Sequence, residues 1–379
     1  MNHIYLDNSA TTQVCPQAME KAVELMTRVY GNPSSLHAMG FAAEQELTLA
    51  RKQTASLLHA KPEEIFFTSG GTESNNLAIF GAAAARKRLG THIVTSAIEH
   101  PSVLGCMEQL QKQGFSVTCL APDSQGRISP QQLAEAINDE TILVSLMLVN
   151  NEVGTIQPVA DAAKIISRSH APALLHVDAV QAFGKLPIHP ARMGIDLLSI
   201  SGHKLHAPKG VGALYVRSGV RILPHTFGGG QEKNLRPGTQ PLPLIAAFAK
   251  AIETLPAPEQ SLPDMQKLCD TCRQTLLSIP GITIHSPEDA LPYVLSFSVP
   301  SVRSETMLHF LSEKGIFLSS GSACAKGKTS HVLTAMKLPR PALLTSLRVS
   351  FSRLNTLSEI EIFASALQEG LHTLVKGAF

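Results

Sequence analysis

The sequence predicts an α/β fold in which a mainly parallel seven-stranded sheet has helices on both faces and is joined to a smaller α+β domain. Of its 379 residues, 44% are hydrophobic, which is enough to fill a large core. Short β-branched and aliphatic runs alternate with longer stretches of helical character, as is typical of parallel sheets covered by helices. These runs are residues 65–68, 92–95, 117–120, 142–149, 174–177, 197–200 and 213–216.

A domain boundary is predicted where residues 255–263 become rich in Pro, Glu and Ala. A stretch of helical character from Met265 and a strand over 294–299 follow it. No internal repeat indicates a third domain. The predicted units are a large domain over 15–255 and a small domain formed by 1–14 and 256–379.

The charge pattern favours small-molecule chemistry. A net charge of +2, from 32 basic and 30 acidic residues without a sustained run of either sign, gives no electrostatic basis for binding nucleic acid or a membrane. The sequence contains no secretory leader and no apolar run that could span a bilayer, so we expect a cytoplasmic protein. No spacing typical of zinc ligands is found, and no metal site is predicted.

A glycine-containing turn follows the run at 65–68 and precedes a stretch of helical character. Gly71 and Thr72 would lie at the start of that helix, where free backbone N–H groups and the helix dipole favour a phosphate. A plain strand-to-helix turn with Thr72 as its cap explains the same residues. The turn alone leaves both interpretations open.

Polar groups also follow two neighbouring runs. Asp178 comes after an apolar run, with Gln181 about one helical turn further on. A carboxylate there can keep a heteroaromatic nitrogen protonated, although a helix-capping Asp is an equally simple explanation. Lys204, preceded by Ser201 and His203, follows the next run, where a partly desolvated amine can react with an aldehyde. A phosphate cradle, a pyridinium partner and an amine at three strand ends together predict pyridoxal 5'-phosphate.

His100 follows the run at 92–95, where it could stack on the cofactor ring and move protons. Among the cysteines, Cys324 lies in a polar, glycine-punctuated loop in which Lys326 and Lys328 could favour its thiolate. An incidental surface cysteine is the alternative from this loop alone. The other cysteines are expected to be buried free thiols: Cys15, Cys106, Cys119, Cys269 and Cys272.

The order of these segments resembles that of the cysteine desulfurases of the NifS/IscS type, within the class V aminotransferases. The resemblance covers essentially the whole chain and implies the fold type I architecture of pyridoxal-phosphate-dependent transferases. The matching motifs are residues 5–12, 30–35, 68–76, 98–101, 150–154, 178–181, 201–204, 228–232, 319–324 and 346–350.

The resemblance also implies a reaction and roles for the residues. Lys204 would hold the cofactor, and Cys324 would take sulfur from L-cysteine as a persulfide, leaving L-alanine. His100 would stack on the ring and carry protons, while Arg348, helped by Asn151, would bind the substrate carboxylate. The remaining implied cofactor contacts are Gly71, Thr72, Asp178 at the pyridine nitrogen, Gln181, Ser201, His203 and, from the second subunit of a homodimer, Thr239.

The sulfur would pass to an acceptor such as an iron-sulfur scaffold or a tRNA-thiolation protein. The loop after Cys324 reaches residue 330 sooner than in longer-looped members of the group, which leaves the acceptor open. Selenocysteine cleavage, kynureninase-type hydrolysis and transamination are alternative reactions on the same scaffold. A docking protein without a cofactor is the alternative from another functional class.

Overall fold

The computed structural model describes residues 3–320 and 329–374, which form strands and helices in alternation. The strands are β1 (Ile4–Tyr5), β2 (Ile65–Thr68), β3 (His92–Ser96), β4 (Ser116–Leu120), β5 (Thr141–Met147), β6 (Leu174–Asp178), β7 (Leu197–Ser201), β8 (Gly212–Val216), β9 (Thr283–Ile284), β10 (Val294–Ser298), β11 (Ile316–Phe317) and β12 (Ser346–Ser350). The α-helices are α1 (Pro16–Thr27), α2 (Ala38–Leu57), α3 (Gly71–Arg86), α4 (Pro101–Lys112), α5 (Pro130–Ala136), α6 (Val159–Ser169), α7 (Pro190–Met193), α8 (Leu242–Glu253), α9 (Pro258–Leu277), α10 (Ser304–Glu313), α11 (His331–Ala335), α12 (Arg340–Thr345) and α13 (Leu357–Thr373).

The seven-stranded sheet is confirmed: six of its strands contain a predicted run, and β5 ends at Met147, two residues before the end of the run predicted over 142–149. Its order is β2-β8-β7-β6-β5-β3-β4. Strands β4, β3, β5, β6 and β7 are parallel, whereas β8 runs antiparallel to both β7 and β2. The carboxyl ends of the parallel strands therefore meet at one edge, where ligands bind in such sheets.

Both faces of this sheet are covered, which explains its continuous apolar strands. Helices α3 and α4 pack on one face, where Ile79 and Val103 join Leu174 in one apolar cluster. On the other face Leu175 packs in a cluster that contains Phe248 of α8. Neighbouring residues of β6 thus enter opposite layers, as the alternation of side chains along a strand requires.

Two expectations differ from the structure. The Pro-rich stretch at 255–263 is partly helical, because α9 begins at Pro258, and proline is favoured at the first position of a helix. Cys119 is exposed rather than buried, because β4 is the edge strand of the sheet. The expectation that the other four described cysteines are buried is confirmed.

The C-terminal part of the chain forms a second, smaller sheet. Strands β12, β10 and β9 make a small antiparallel sheet, against which α9 packs. The N-terminal β1 pairs in parallel with β11. The division into 15–255 and the two flanking segments stays a prediction. Within the described residues, no helix has the length and apolar content needed to cross a membrane.

Candidate active site

A cavity of about 280 Å³ lies at the carboxyl ends of β5, β6 and β7. Its lining brings together residues that are far apart in the sequence but follow neighbouring strands. Ten of the residues predicted from the sequence line it: Gly71, Thr72, His100, Asn151, Asp178, Gln181, Ser201, His203, Lys204 and Arg348.

Two further predicted site residues remain, Thr239 and Cys324. Thr239 is exposed and is not among the described residues that line the cavity. Its segment is nevertheless held near the phosphate turn, because Arg236 Nε donates to Glu73 Oε1 at 2.9 Å. Cys324 lies outside the residues that the structure describes.

The start of α3 is open toward the cavity. Gly70 precedes the helix with φ 148°, a conformation that favours glycine. Within the described chain, no side chain caps this helix, so the interpretation of Thr72 as a cap is wrong. A Cβ on Gly71 would lie 2.7 Å from Val180 Cγ2, so glycine lets the turn approach the next loop closely. The first N–H groups are therefore available to an anion.

Asp178 ends β6 with its carboxylate held in place. Its Oδ1 accepts from the backbone N–H of Val180 at 3.0 Å, and its Oδ2 accepts from Asn75 Nδ2 at 2.7 Å. The side chain is buried and lines the cavity. It does not cap an α-helix, because no α-helix begins after β6 until α7 at Pro190. The carboxylate is a fixed negative charge at the cavity wall.

Lys204 follows β7 in a short 3-10 turn and points back to the N-terminal segment. Its Nζ donates to the carbonyl oxygens of Ser9 and Ala10, the second at 2.7 Å. Burial, with the nearby positive charges of Arg348 and Lys185, lowers the pKa of Lys204 to about 7. A large fraction of this amine is therefore neutral and nucleophilic near neutral pH.

Two histidines border the cavity. His100 is the N-cap of α4, and its Nδ1 accepts from the backbone N–H of Ser102 at 3.1 Å. Burial lowers the pKa of His100, as do Lys204 and His331, while the Asp178 carboxylate opposes them. Burial also lowers the pKa of His203 to about 4. Both imidazoles are thus neutral near pH 7.

Arg348 of β12 also lines the cavity and is only 2% exposed. Its Nη2 pairs with Asp7 Oδ1 at 2.8 Å, and its Nη1 donates to the Asn151 carbonyl at 3.0 Å. Among the described residues, Nε has no partner. A buried guanidinium with unused donors is suited to binding a carboxylate.

The model of the class V aminotransferases matches residues 4–363 of this chain. The chain belongs to the class V aminotransferase family. It is 43% identical over 374 residues to a NifS/IcsS protein homolog of Lactobacillus delbrueckii subsp. bulgaricus, covering 97% of this chain and 96% of that protein. It is also 43% identical over 362 residues to the cysteine desulfurase IscS of Methanosarcina thermophila, covering 94% of this chain and 89% of that protein. The resemblance to desulfurases of the NifS/IscS type is confirmed.

Solved structures agree with this family membership. A NifS-like protein superposes with a TM-score of 0.93 at 38% identity, covering 98% of this chain and all of that one (100%). A structure of SspA in complex with cysteine superposes with a TM-score of 0.82 at 37% identity, covering 92% of this chain and 98% of that one. The expected fold is therefore confirmed.

Several contacts in this class V aminotransferase site were not anticipated from sequence patterns. The carbonyls of Ser9 and Ala10 hold Lys204, and Asp7 pairs with Arg348. Asn75 could have been predicted from the sequence, because it lies four residues after Gly71 and therefore on the same face of α3. Within residues 3–320 and 329–374, no cluster of His, Cys, Asp and Glu could hold a metal ion.

Proposed function

We propose that this protein is a pyridoxal-phosphate-dependent cysteine desulfurase that converts L-cysteine to L-alanine and transfers the sulfur to Cys324. The observation that carries the proposal is the shared cavity of Lys204 and Asp178, an amine with a pKa of about 7 and a fixed carboxylate. The named activity of relatives more than 40% identical over nearly the whole chain supports it.

The donor set fits pyridoxal 5'-phosphate. The uncapped start of α3 suits its phosphate, with Gly71 and Thr72 in the first turn and Ser201 and His203 nearby. Lys204 would hold its aldehyde carbon, Asp178 would face the ring nitrogen, Gln181 would approach the ring hydroxyl and His100 would stack on the ring. When bound, the cofactor supplies an electron sink that weakens the Cα–H bond of an amino acid.

The chain's own residues bind and orient the substrate. Arg348 takes the carboxylate through donors that its contacts with Asp7 and Asn151 leave unused. Nζ of Lys204, a large fraction of which is neutral near pH 7, accepts the proton that leaves Cα. His100, which lines the same cavity, carries protons. These assignments give carboxylate recognition and proton transfer to different residues of one cavity.

Sulfur transfer is assigned to Cys324. Its thiolate attacks the substrate sulfur, forming an S–S bond while the Cβ–S bond breaks, and the electron pair stays on Cβ. Cβ then takes a proton, so cysteine and a thiol become alanine and a persulfide. The polar segment that carries Cys324 lies between Ser319, whose backbone pairs with Arg348, and Ser330, which donates to Glu152.

We also propose a homodimer in which Thr239 reaches the phosphate site of the partner subunit. The exposure of Thr239, and its absence from the described lining of this subunit's own cavity, support this arrangement. The persulfide is passed to a sulfur-acceptor protein, such as an iron-sulfur scaffold or a tRNA-thiolation protein. Neither assembly depends on a nucleic acid or a membrane surface.

Borohydride reduction tests the cofactor assignment. Treatment of the yellow protein should fix a pyridoxyl group on Lys204, detected by peptide mass mapping. Lys185, a buried lysine whose pKa is lowered to about 8 by burial, should stay unlabelled. A pyridoxyl group on Lys185, or on no lysine, contradicts the proposal.

Cys324→Ala tests the sulfur acceptor. This variant should retain the visible cofactor absorbance but lose alanine production from L-cysteine. Cys119→Ala is the matched control, because Cys119 is exposed and lies on the edge strand. Full desulfuration by Cys324→Ala would exclude Cys324 as the nucleophile.

A further inference from the structure

A chain of hydrogen bonds joins Asp178 to His100 through two residues with no role so far. Asn75 is buried in α3, and its Nδ2 lies 2.7 Å from Asp178 Oδ2 and 2.9 Å from Ser102 Oγ. The Ser102 Oγ lies 2.8 Å from His100 Nδ1. Three elements, β6, α3 and the start of α4, are thus connected at the cavity wall.

The donor and acceptor groups of these residues fix the direction in which each hydrogen bond of the series is donated. An ionised carboxylate accepts hydrogen bonds and donates none, so Asp178 requires the NH2 group of Asn75. The second hydrogen of that NH2 group goes to the Ser102 oxygen. Because Ser102 accepts there, its own proton is free to go to His100 Nδ1. The Asn75 amide cannot be reversed without placing its oxygen against the carboxylate.

A second hydrogen-bond donor to His100 Nδ1 fixes the protonation state of that nitrogen. The backbone N–H of Ser102 also points to Nδ1, at 3.1 Å. A nitrogen that accepts two hydrogen bonds carries a lone pair rather than a proton. In the neutral imidazole the proton is then on Nε2, the nitrogen that these contacts leave for the cavity.

We propose that Asn75 and Ser102 are positioning residues that hold His100 as its Nε2–H tautomer, so that it meets the substrate as a hydrogen-bond donor. The inference rests on the proposed function, since that function gives His100 its place beside the substrate. It goes further by assigning the proton to one nitrogen. In this tautomer Nε2 offers the substrate side an N–H hydrogen bond rather than a lone pair.

The charges around His100 are consistent with a neutral ring. Asp178 of β6 favours the protonated form, whereas Lys204 after β7 and His331 of α11 disfavour it. His331 is itself engaged, with its Nε2 2.9 Å from the Glu99 carbonyl. Protonation of His100 at Nδ1 would also turn an acceptor of two hydrogen bonds into a donor. Burial is the largest cause of the lowered pKa of His100, and the two donors to Nδ1 favour the same neutral ring.

Solid-state NMR of the full, cofactor-loaded chain labelled with 15N-histidine tests the proposal. His100 is assigned by comparison with His100→Gln. The wild-type shifts should show a protonated Nε2 and an unprotonated Nδ1. Ser102→Ala removes one of the two donors to Nδ1, so a pH series should show a proton-binding constant of His100 about tenfold higher. Ser102→Thr, which keeps the hydroxyl, should restore the wild-type value.

Neighbouring asparagines supply the control. Asn75→Ala should raise proton binding by His100 as Ser102→Ala does, while Asn76→Ala should not, because the partly exposed Asn76 side chain donates to the Thr72 carbonyl of its own helix. If Asn75→Ala does not fold, the Ser102 pair alone decides. A protonated Nδ1 in the wild type, or identical titration of Ser102→Ala and wild type, overturns the proposal. Borohydride labelling of Lys204 remains an independent readout, so failure of the proposed function is recognised separately.

Discussion

The helices α3 and α13 begin in opposite ways. At α13 the Thr356 hydroxyl accepts from the Glu359 N–H at 3.4 Å, and Glu359 Oε2 accepts from the Thr356 N–H at 2.8 Å. At α3 the preceding residue is Gly70, and no side chain in the described part of the protein caps the helix. Side chains therefore cap the start of α13, which lies away from the cavity. The start of α3, which faces the cavity, has no such cap among the described residues.

The largest effect is expected from a substitution that obstructs the uncapped start of α3. Gly71→Ala places a Cβ 2.7 Å from Val180 Cγ2, so the turn must shift. We expect pyridoxal 5'-phosphate to bind at least about tenfold more weakly, because the N–H groups of the turn no longer converge. Titration of the visible absorbance measures this affinity.

Val180→Ala in the Gly71→Ala background is the matched control. It removes the methyl group that the new Cβ meets and should recover most of the affinity. Unchanged cofactor affinity in Gly71→Ala alone would contradict the role given to the α3 start.

The pH dependence separates anion binding from covalent capture. The pKa of Lys204 is lowered to about 7, so its amine is mostly neutral above that pH and mostly protonated below it. We expect the rate of attachment to Lys204 to fall about tenfold per pH unit well below pH 7. Stopped-flow absorbance measures that rate, and a rate independent of pH from 5 to 8, roughly the range around this pKa, would exclude the neutral amine as the reacting form.

A smaller effect is expected from inorganic phosphate. At millimolar concentration it should raise the apparent dissociation constant of the cofactor several-fold in the wild type, because it occupies the same N–H groups. The Gly71→Ala variant should show a weaker effect. Sodium chloride at the same ionic strength controls for screening. Equal competition in both proteins would place the anion elsewhere.

The smallest effect is expected at the capped start of α13. Thr356→Ala removes the capping hydroxyl and should lower the free energy of unfolding by about 1 kcal/mol without changing cofactor affinity. Urea unfolding measures the first quantity and absorbance titration the second. Thr356→Ser keeps the hydroxyl and should behave as wild type. A loss of cofactor affinity in Thr356→Ala would remove the contrast between the two helices.

Strands and strand-end groups were predictable from the sequence for a physical reason. Strands buried on both faces are read as continuous apolar runs, and the polar residues that follow them, such as Asp178 and Lys204, must meet at one edge of a parallel sheet. The antiparallel direction of β8 could not be predicted, because the apolar sequence pattern of a buried strand is the same for both directions. Exposure of Cys119 depends on the position of β4 in the sheet, which sequence periodicity does not encode.

The contacts that support the site were less predictable. Ser9 and Ala10 act through backbone carbonyls, which any residue can supply. Asn75 and Ser102 are common polar residues whose partners lie in other elements. Their importance depends on distances across the fold, so only the three-dimensional arrangement identifies them.

The N-terminal segment also has a consequence for biosynthesis. Asn8 Nδ2 donates to the Ser350 carbonyl at 2.9 Å, joining residues 342 positions apart, and the adjacent carbonyls of Ser9 and Ala10 hold Lys204. Residue 8 is synthesised 342 residues before residue 350, so the surroundings of the Lys204 amine are complete only after β12 has been made and has folded into place.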